Sequence, residues 1–416
     1  MKKLKNIILF ICIFALCAVL AAVYRHFSLK TNTIRVAFYG LPQSEVTVLS
    51  SWLDDKNVNW VARILDSSKP LNAHISNSSQ YDLLFVYDGF NMDSMKSFVR
   101  NAETAALQML PAPIRISIQT QRRLIGTPVL MNPFQLLCSK NGLESLDRSE
   151  PLSLMQLEDI AVKSITRAEK SGQPVYPAPF LCAGADDDHL IMFFSSLLEA
   201  AEGVENLEDA ASLLAAQKDN DFSSFFAAEP IWNILELLAK WQKKGFLPAR
   251  WLELGREEAA DAMKKDAPLI VFAPHAFYRS LDEKAADKYT LWYMPSGKFS
   301  HKRFLVSQTV AALQFSVPKA ALQSAVQARN KLDSVRALIR ETVSAPAQTK
   351  LAQHSISVPV NSRAQISFPA ETALEYICAS DGIIPDVAQA ALSSDGERKT
   401  FAQALRKEIK RISDEQ

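Results

Sequence analysis

Apolar residues recur at helical spacing through Ile231, Ile234, Leu235, Leu238 and Trp241. Residues 230–245 are therefore expected as an amphipathic helix, with Pro230 in its first turn and Gly245 at its C-terminal cap. Trp241 lies within the apolar stripe and is expected in the core, whereas Trp232 lies at its edge. Residues 257–265, rich in Ala, Met, Glu and Lys, continue as a second helix. The run Leu269-Ile270-Val271-Phe272 then predicts a buried strand ending at Ala273-Pro274, and residues 289–294 another strand.

Near the start of the chain, Ile34 to Gly40 alternates and then turns, which predicts a strand and a loop. A helix is expected over 45–53 and a strand over 60–65, paired beside the first. Residues 81–89 form an apolar run of the kind buried on both faces of a parallel sheet. Strands alternating with helices imply right-handed crossovers and an α/β fold. Ligands of such sheets sit beyond the carboxyl ends of the strands, which singles out Phe38, Tyr39, Tyr87 and Asp88. Ordinary packing of the aromatics and a turn at Asp88-Gly89 are the alternative readings.

Further on, Ser153 is a plausible N-cap with Gln156 at capping-box spacing. Residues 173–183, with three prolines, are extended or looped. Asp186-Asp187-Asp188-His189 invites a metal assignment, but the apolar run from Leu190 places these acids in a helix first turn, where carboxylates satisfy free amides. Helices are expected over 206–217, 222–228 and 320–343, and an apolar segment over 304–313. Residues 355–370 hold two short extended pieces, each stopped by Pro. The last fifty residues, including 401–412 with its paired charges, read as solvated helices.

The N-terminus changes the cellular picture. Met1-Lys2-Lys3-Leu4-Lys5 precedes an uncharged run over 7–23, followed by Arg25, His26 and Lys30. Residues 1–30 are expected to be a signal peptide or membrane anchor. Retention as an anchor, cleavage after Ala21 and lipidation at Cys17 stay open, with bulky Leu16 standing where a lipoprotein has a small residue. All three put the remainder outside the cytoplasm, on the periplasmic or extracytoplasmic face. A net charge of +1 gives no reason to expect a nucleic-acid surface. Cys138, Cys182 and Cys378 lie far apart without metal-ligand spacing and read as buried or half-buried thiols, with one disulfide still open. With only 12 Gly and no Gly-x-Ser-x-Gly, His-Glu-x-x-His or phosphate-loop motif, neither an enzyme nor a cofactor site is expected.

The order helix, helix, strand, aromatic loop, strand over 230–295 resembles the middle of the extracellular solute-binding proteins of ABC importers, family 1, which includes maltose-binding protein. Ala262-Met263 and Pro274 match that pattern in kind, with His275 where a sugar-stacking Trp is usual. Gly126 to Leu143 looks like the family's first interlobe crossing, with Cys138-Ser139 in place of its Tyr-Asn pair, and Pro151 to Asp159 follows as the family's Pro, Ser and acidic helix. The segment from Phe304 resembles the second crossing. The resemblance implies a two-lobed periplasmic-binding-protein fold (type II) with a hinge of two or three crossing segments. It divides the chain into a first lobe of 31–128 plus 306–345 and a second of 129–305 plus 346–416. It also implies capture of a small polar solute, a sugar or oligosaccharide favoured, by hinge closure, and a monomer that delivers it to ABC permease subunits. A membrane-anchored sensor or scaffold with the same fold is the alternative. The candidate binding residues are Tyr39, Tyr87, Asp88, Asn132, Trp232, His275, Phe277 and Trp292.

Overall fold

The computed structural model describes residues 33–75, 81–88, 99, 102–120, 126–146, 150–172, 178–217, 220–295, 303–313 and 325–415. The expected signal or anchor at 1–30 lies outside them. So do parts of three other predicted segments: residue 89 of the run 81–89, residues 173–177 and residues 320–324. Among the described residues, no helix is long and apolar enough to cross a membrane.

The predicted alternation of strands and helices is present. β1 (Ile34–Tyr39) pairs in parallel with β2 (Trp60–Leu65) and β3 (Leu83–Asp88), and the Gln43–Asp54 helix connects β1 to β2. β4 (Thr127–Ser139) then runs across the molecule. Its first half, to Pro133, pairs with β8 (Arg303–Leu313), whereas Phe134 to Cys138 pairs with β6 (Ile270–Pro274). β5 (Phe180–Cys182) lies beyond β6, β7 (Tyr289–Trp292) pairs with the end of β4, and β9 (Val358–Pro359) with its first half. β8 starts beside β10 (Gly382–Ile384) and continues between β3 and β4. Two unbroken strands therefore link two α/β lobes. One curled sheet of ten strands results.

The first-lobe core centres on stacked Phe38 and Phe85, 5.5 Å apart, with Trp52 and Leu49 of the Gln43–Asp54 helix beneath them. Ala347 and Leu351 of the Ala345–His354 helix belong to the same cluster. The second-lobe core is built on the Asp187–Glu202 helix. Phe193 sits 4.4 Å from Phe272 and 6.0 Å from Trp251. The Glu229–Lys243 helix adds Trp241, fully buried as its position in the stripe requires, with its indole N–H donating to Glu158 at 2.7 Å. Buried indoles find such partners because an unpaired N–H in a core is costly.

One expectation is overturned. The last fifty residues do form helices, but not a solvated surface: Ala370–Cys378 and Val387–Ala391 pack into cores, and the charged terminal helix, Asp395–Glu415, closes the second-lobe core. Phe401, Leu405 and Ile409 have no exposed surface. Phe401 meets Phe222, Phe225 and Phe226 at 5.4, 5.3 and 6.3 Å. Positions 401, 405, 409 and 412 form an ordinary helical stripe; the dense charges between them mask it. Of the two extended pieces expected over 355–370, the first yields β9 and the second forms no strand. Cys138, Cys182 and Cys378 are free, the first two buried and the third half-buried.

Candidate functional site

The lobes meet where the carboxyl ends of β1 and β3 and the middles of β4 and β8 face the start of the Asp187–Glu202 helix. The His275–Ser280 helix and residues 386–398 complete the second-lobe side. Three of the sequence candidates come together there. Asn132, on β4, accepts the Ala276 N–H at 2.8 Å and so satisfies a first-turn amide of the His275–Ser280 helix from across the hinge. His275 has no exposed surface, and its Nδ1 lies 3.0 Å from Gln135 Oε1. Phe277 meets the ring of His189 edge-on at 5.2 Å. Burial, with Arg279 adding to it, pushes the His275 pKa down to about 3; burial also pushes His189 down to about 4, against the pull of Asp186. Both imidazoles are neutral at physiological pH.

These neutral rings leave polar atoms unspent. His275 Nε2, Gln135 Nε2, His189 Nδ1 and Gln389 Oε1 are buried without a hydrogen-bond partner. Gln389 joins the same group, since its side-chain amide donates to Ser307 on β8, and Ser307 is paired in register with Asn132. Nearly all buried polar groups in folded proteins are satisfied, so four such atoms at one junction mark a place where polar partners belong.

The acidic run is spent on ion pairs. Asp186 accepts the His189 N–H at 3.0 Å, the helix cap predicted for it. It also pairs with Arg256 at 2.6 Å, Asp187 pairs with Arg406 at 2.7 Å, and Asp188 with Arg398 at 2.8 Å. Arg398 makes two further bonds of 3.0 Å to Asp386. Burial opposes its charge, but the Asp386 and Asp188 carboxylates hold its pKa above the usual value. Tyr87, at the end of β3, lies in the same field: burial and then Asp188 raise its pKa. Tyr39 Oη lies 2.7 Å from the Lys69 carbonyl and 3.2 Å from that of Ser393. The backbone of Asp88 pairs with Gln308, while its side chain lies outside the description.

Two candidates stand apart from this group. The Trp292 indole donates to the Pro151 carbonyl at 2.8 Å and stacks on Tyr293 at 4.6 Å, with Tyr376 edge-on at 5.7 Å. Trp232 lies under the Arg411 guanidinium, where its helix packs on the terminal one. The sequence reading passed over Gln135, Asp386, Gln389 and Arg398. For Arg398 a signal exists: it lies three residues before Phe401, on the stripe that is buried.

A small cavity lies beside the hinge, lined by Phe134, Glu199, Tyr293, Arg303 and Phe304. Its volume of about 10 Å³ is room for one water. Burial pushes the Glu199 pKa up to about 7 although Arg303 pulls the other way. The fold thus holds this proton more tightly than the unfolded chain does. Stability from this group is full below pH 4.5 and is lost as pH rises to about 7. Glu199→Gln is expected to stabilise the protein by about 2 kcal/mol at pH 8 and by almost nothing at pH 4.5. Urea unfolding at the two pH values checks this, and an equal gain at both contradicts it.

A curled sheet shared by two α/β lobes, with two continuous strands at the hinge, defines the two-lobed fold of periplasmic solute-binding proteins, type II. The solved structures that share this fold include solute receptors. The bacterial solute receptor AcbH, described as having an exclusive preference for β-D-galactopyranose, matches with a TM-score of 0.70 at 10% identity, over 92% of each chain. The apo form of RafE from Streptococcus pneumoniae gives 0.64 at 12%, over 92% of this chain and 98% of its own. Maltose-bound MalE3 of T. maritima gives 0.58 at 14%, over the same shares. No protein-family model and no curated protein matches the chain.

Proposed function

We propose that this chain is an extracytoplasmic solute-binding protein of an ABC importer, taking a small polar solute, with a sugar or oligosaccharide favoured, into the cleft between its lobes. One observation carries the reading: His275, Gln135, His189 and Gln389 present unpaired polar atoms at the junction of the lobes, with Phe277 beside them. Amides, neutral imidazoles and an aromatic face suit hydroxyl groups and the apolar face of a sugar ring. The charged groups nearby are already paired with one another, which favours an uncharged solute. The carbohydrates named for the neighbouring receptors support the same class.

Capture in this reading proceeds by rotation of the lobes about β4 and β8. Solute contacts made only in the closed form shift that equilibrium, and the loaded monomer docks on permease subunits. Residues 1–30 direct the chain across the cytoplasmic membrane as an anchor, a cleaved signal or a lipid attachment site. The lobes follow the division given above, except that residues 129–133 and 346–354 go with the first lobe, because Val129, Leu130, Ala347 and Leu351 pack in its core and β4 pairs with β8 as far as Pro133. A second reading, an anchored sensor or scaffold, is favoured by the saturation of Arg398, Asp188 and Asp386 with partners of their own.

A thermal-shift screen of residues 31–416 against galactose, maltose, raffinose and polyols tests the choice. A true solute adds about 2.7 kcal/mol of stability at a hundredfold excess over its dissociation constant. Silence across the whole panel favours the scaffold.

A further inference from the structure

The two faces of the cleft touch each other directly, through one side chain and the backbone. Tyr39 Oη, at the end of β1, lies 3.2 Å from the Ser393 carbonyl. The Asp395 N–H donates to the Ser67 carbonyl at 2.9 Å. A Cβ placed on Gly396 would sit 3.2 Å from the Ser68 carbonyl, so the chains pass at the limit of contact. Tyr39 ends β1, and Ser67 and Ser68 follow the end of β2, all in the first lobe. Residues 393–396 sit between the Val387–Ala391 helix and the buried body of Asp395–Glu415, both in the second-lobe core.

Arg398 holds this piece rigid from behind. It is 6% exposed and tied to Asp386 of the preceding cap and to Asp188 of the Asp187–Glu202 helix. The stretch is thus fixed to the second lobe and reaches the first, bridging the strand ends that a solute in this fold would bridge. Lobe closure in binding proteins ordinarily draws on ligand contacts; here, the Tyr39 hydroxyl and the Asp395 amide join the two lobes within the chain itself.

We propose that residues 393–396 are a built-in latch that keeps the interlobe cleft shut in the absence of solute. The inference rests on the solute-binding reading only for its meaning, as regulation of that site; the latch itself is a set of contacts within the chain. A solute must then compete with it, and the apparent affinity falls by the fraction of molecules that are unlatched.

The Asp395 amide is a direct reporter. As a first-turn amide it has no acceptor within its own helix, and its hydrogen bond goes to Ser67 in the other lobe. Amide hydrogen exchange on the full-length protein, with no carbohydrate added, is expected to show this amide protected. Gly396→Leu wedges the contact while raising helix propensity. It is expected to speed exchange at Asp395 by on the order of tenfold, the loss of one or two hydrogen bonds, while amides over 401–412 keep their protection. Gly396→Ala is expected to give a smaller change of the same sign. If the wild-type Asp395 amide already exchanges at the rate of an unprotected one, the latch does not form. If neither variant speeds it while 401–412 stays protected, the contact does not hold the lobes. Should Gly396→Leu expose 401–412 as well, the wild-type protection and the alanine variant decide. A solute screen without any hit sinks the binding reading and leaves these exchange results standing.

Discussion

Arg398→Met is expected to destabilise the protein by about 3–5 kcal/mol, the range for breaking a buried ion pair from one side. Its partner Asp386 has no exposed surface, so removing the guanidinium strands a carboxylate that took two of its hydrogen bonds. The cost then comes from the abandoned charge more than from the lost attraction. Arg398→Met with Asp386→Asn is accordingly expected to recover much of the loss, since Asn still accepts the Gln389 N–H that Asp386 caps at 2.8 Å. Asp188→Asn is expected to cost only about 1 kcal/mol or less, because that side chain is 42% exposed and water can replace the contact. Urea unfolding of the four proteins gives the ranking. A double variant no better than Arg398→Met alone would mean that packing of the arginine stem, rather than the buried carboxylate, carries the effect.

The same residue shows what sequence reasoning reaches. Local pattern located β1, β2, β3 and the Glu229–Lys243 helix, because alternation and helical spacing are written within a dozen residues. The resemblance to solute-binding proteins, rather than local pattern, brought Asn132, His275 and Phe277 into consideration, and the fold gathers these three at the hinge. Local pattern could not supply partners. Asp188 and Arg398 are 210 positions apart, and β3 finds its antiparallel neighbour in β8, more than two hundred residues later. Gln135 and Gln389 resemble any surface amide until residues far along the chain, His275 and Ser307, pack against them. The Ala345–His354 helix was passed over although its signals are local: Ser344 accepts the Ala347 N–H as an N-cap, and Pro346 stands in the first turn. The charged terminal helix was misjudged for a different reason. Charge density says what one face does and nothing about the other.

Phe401→Ala decides that last point and is expected to cost about 3–5 kcal/mol, as for a large aromatic removed from a packed core. Its ring stands among Phe222, Phe225 and Phe226, three side chains from a separate stretch that cannot all collapse into the space. Lys407→Ala, on the exposed face of the same helix, is expected to fall within about 0.5 kcal/mol of wild type. Were the helix merely a solvated surface, the two variants would be alike. The contrast bears on the cleft as well, because Phe401 lies one turn beyond Arg398 and anchors the segment that leads back to Ser393. Loosening that anchor is expected to raise hydrogen exchange at Asp395 along with the global loss of stability, whereas Lys407→Ala leaves both untouched. A terminal helix that melts without disturbing Asp395 would show that the contact with Ser67 is held by the first lobe alone.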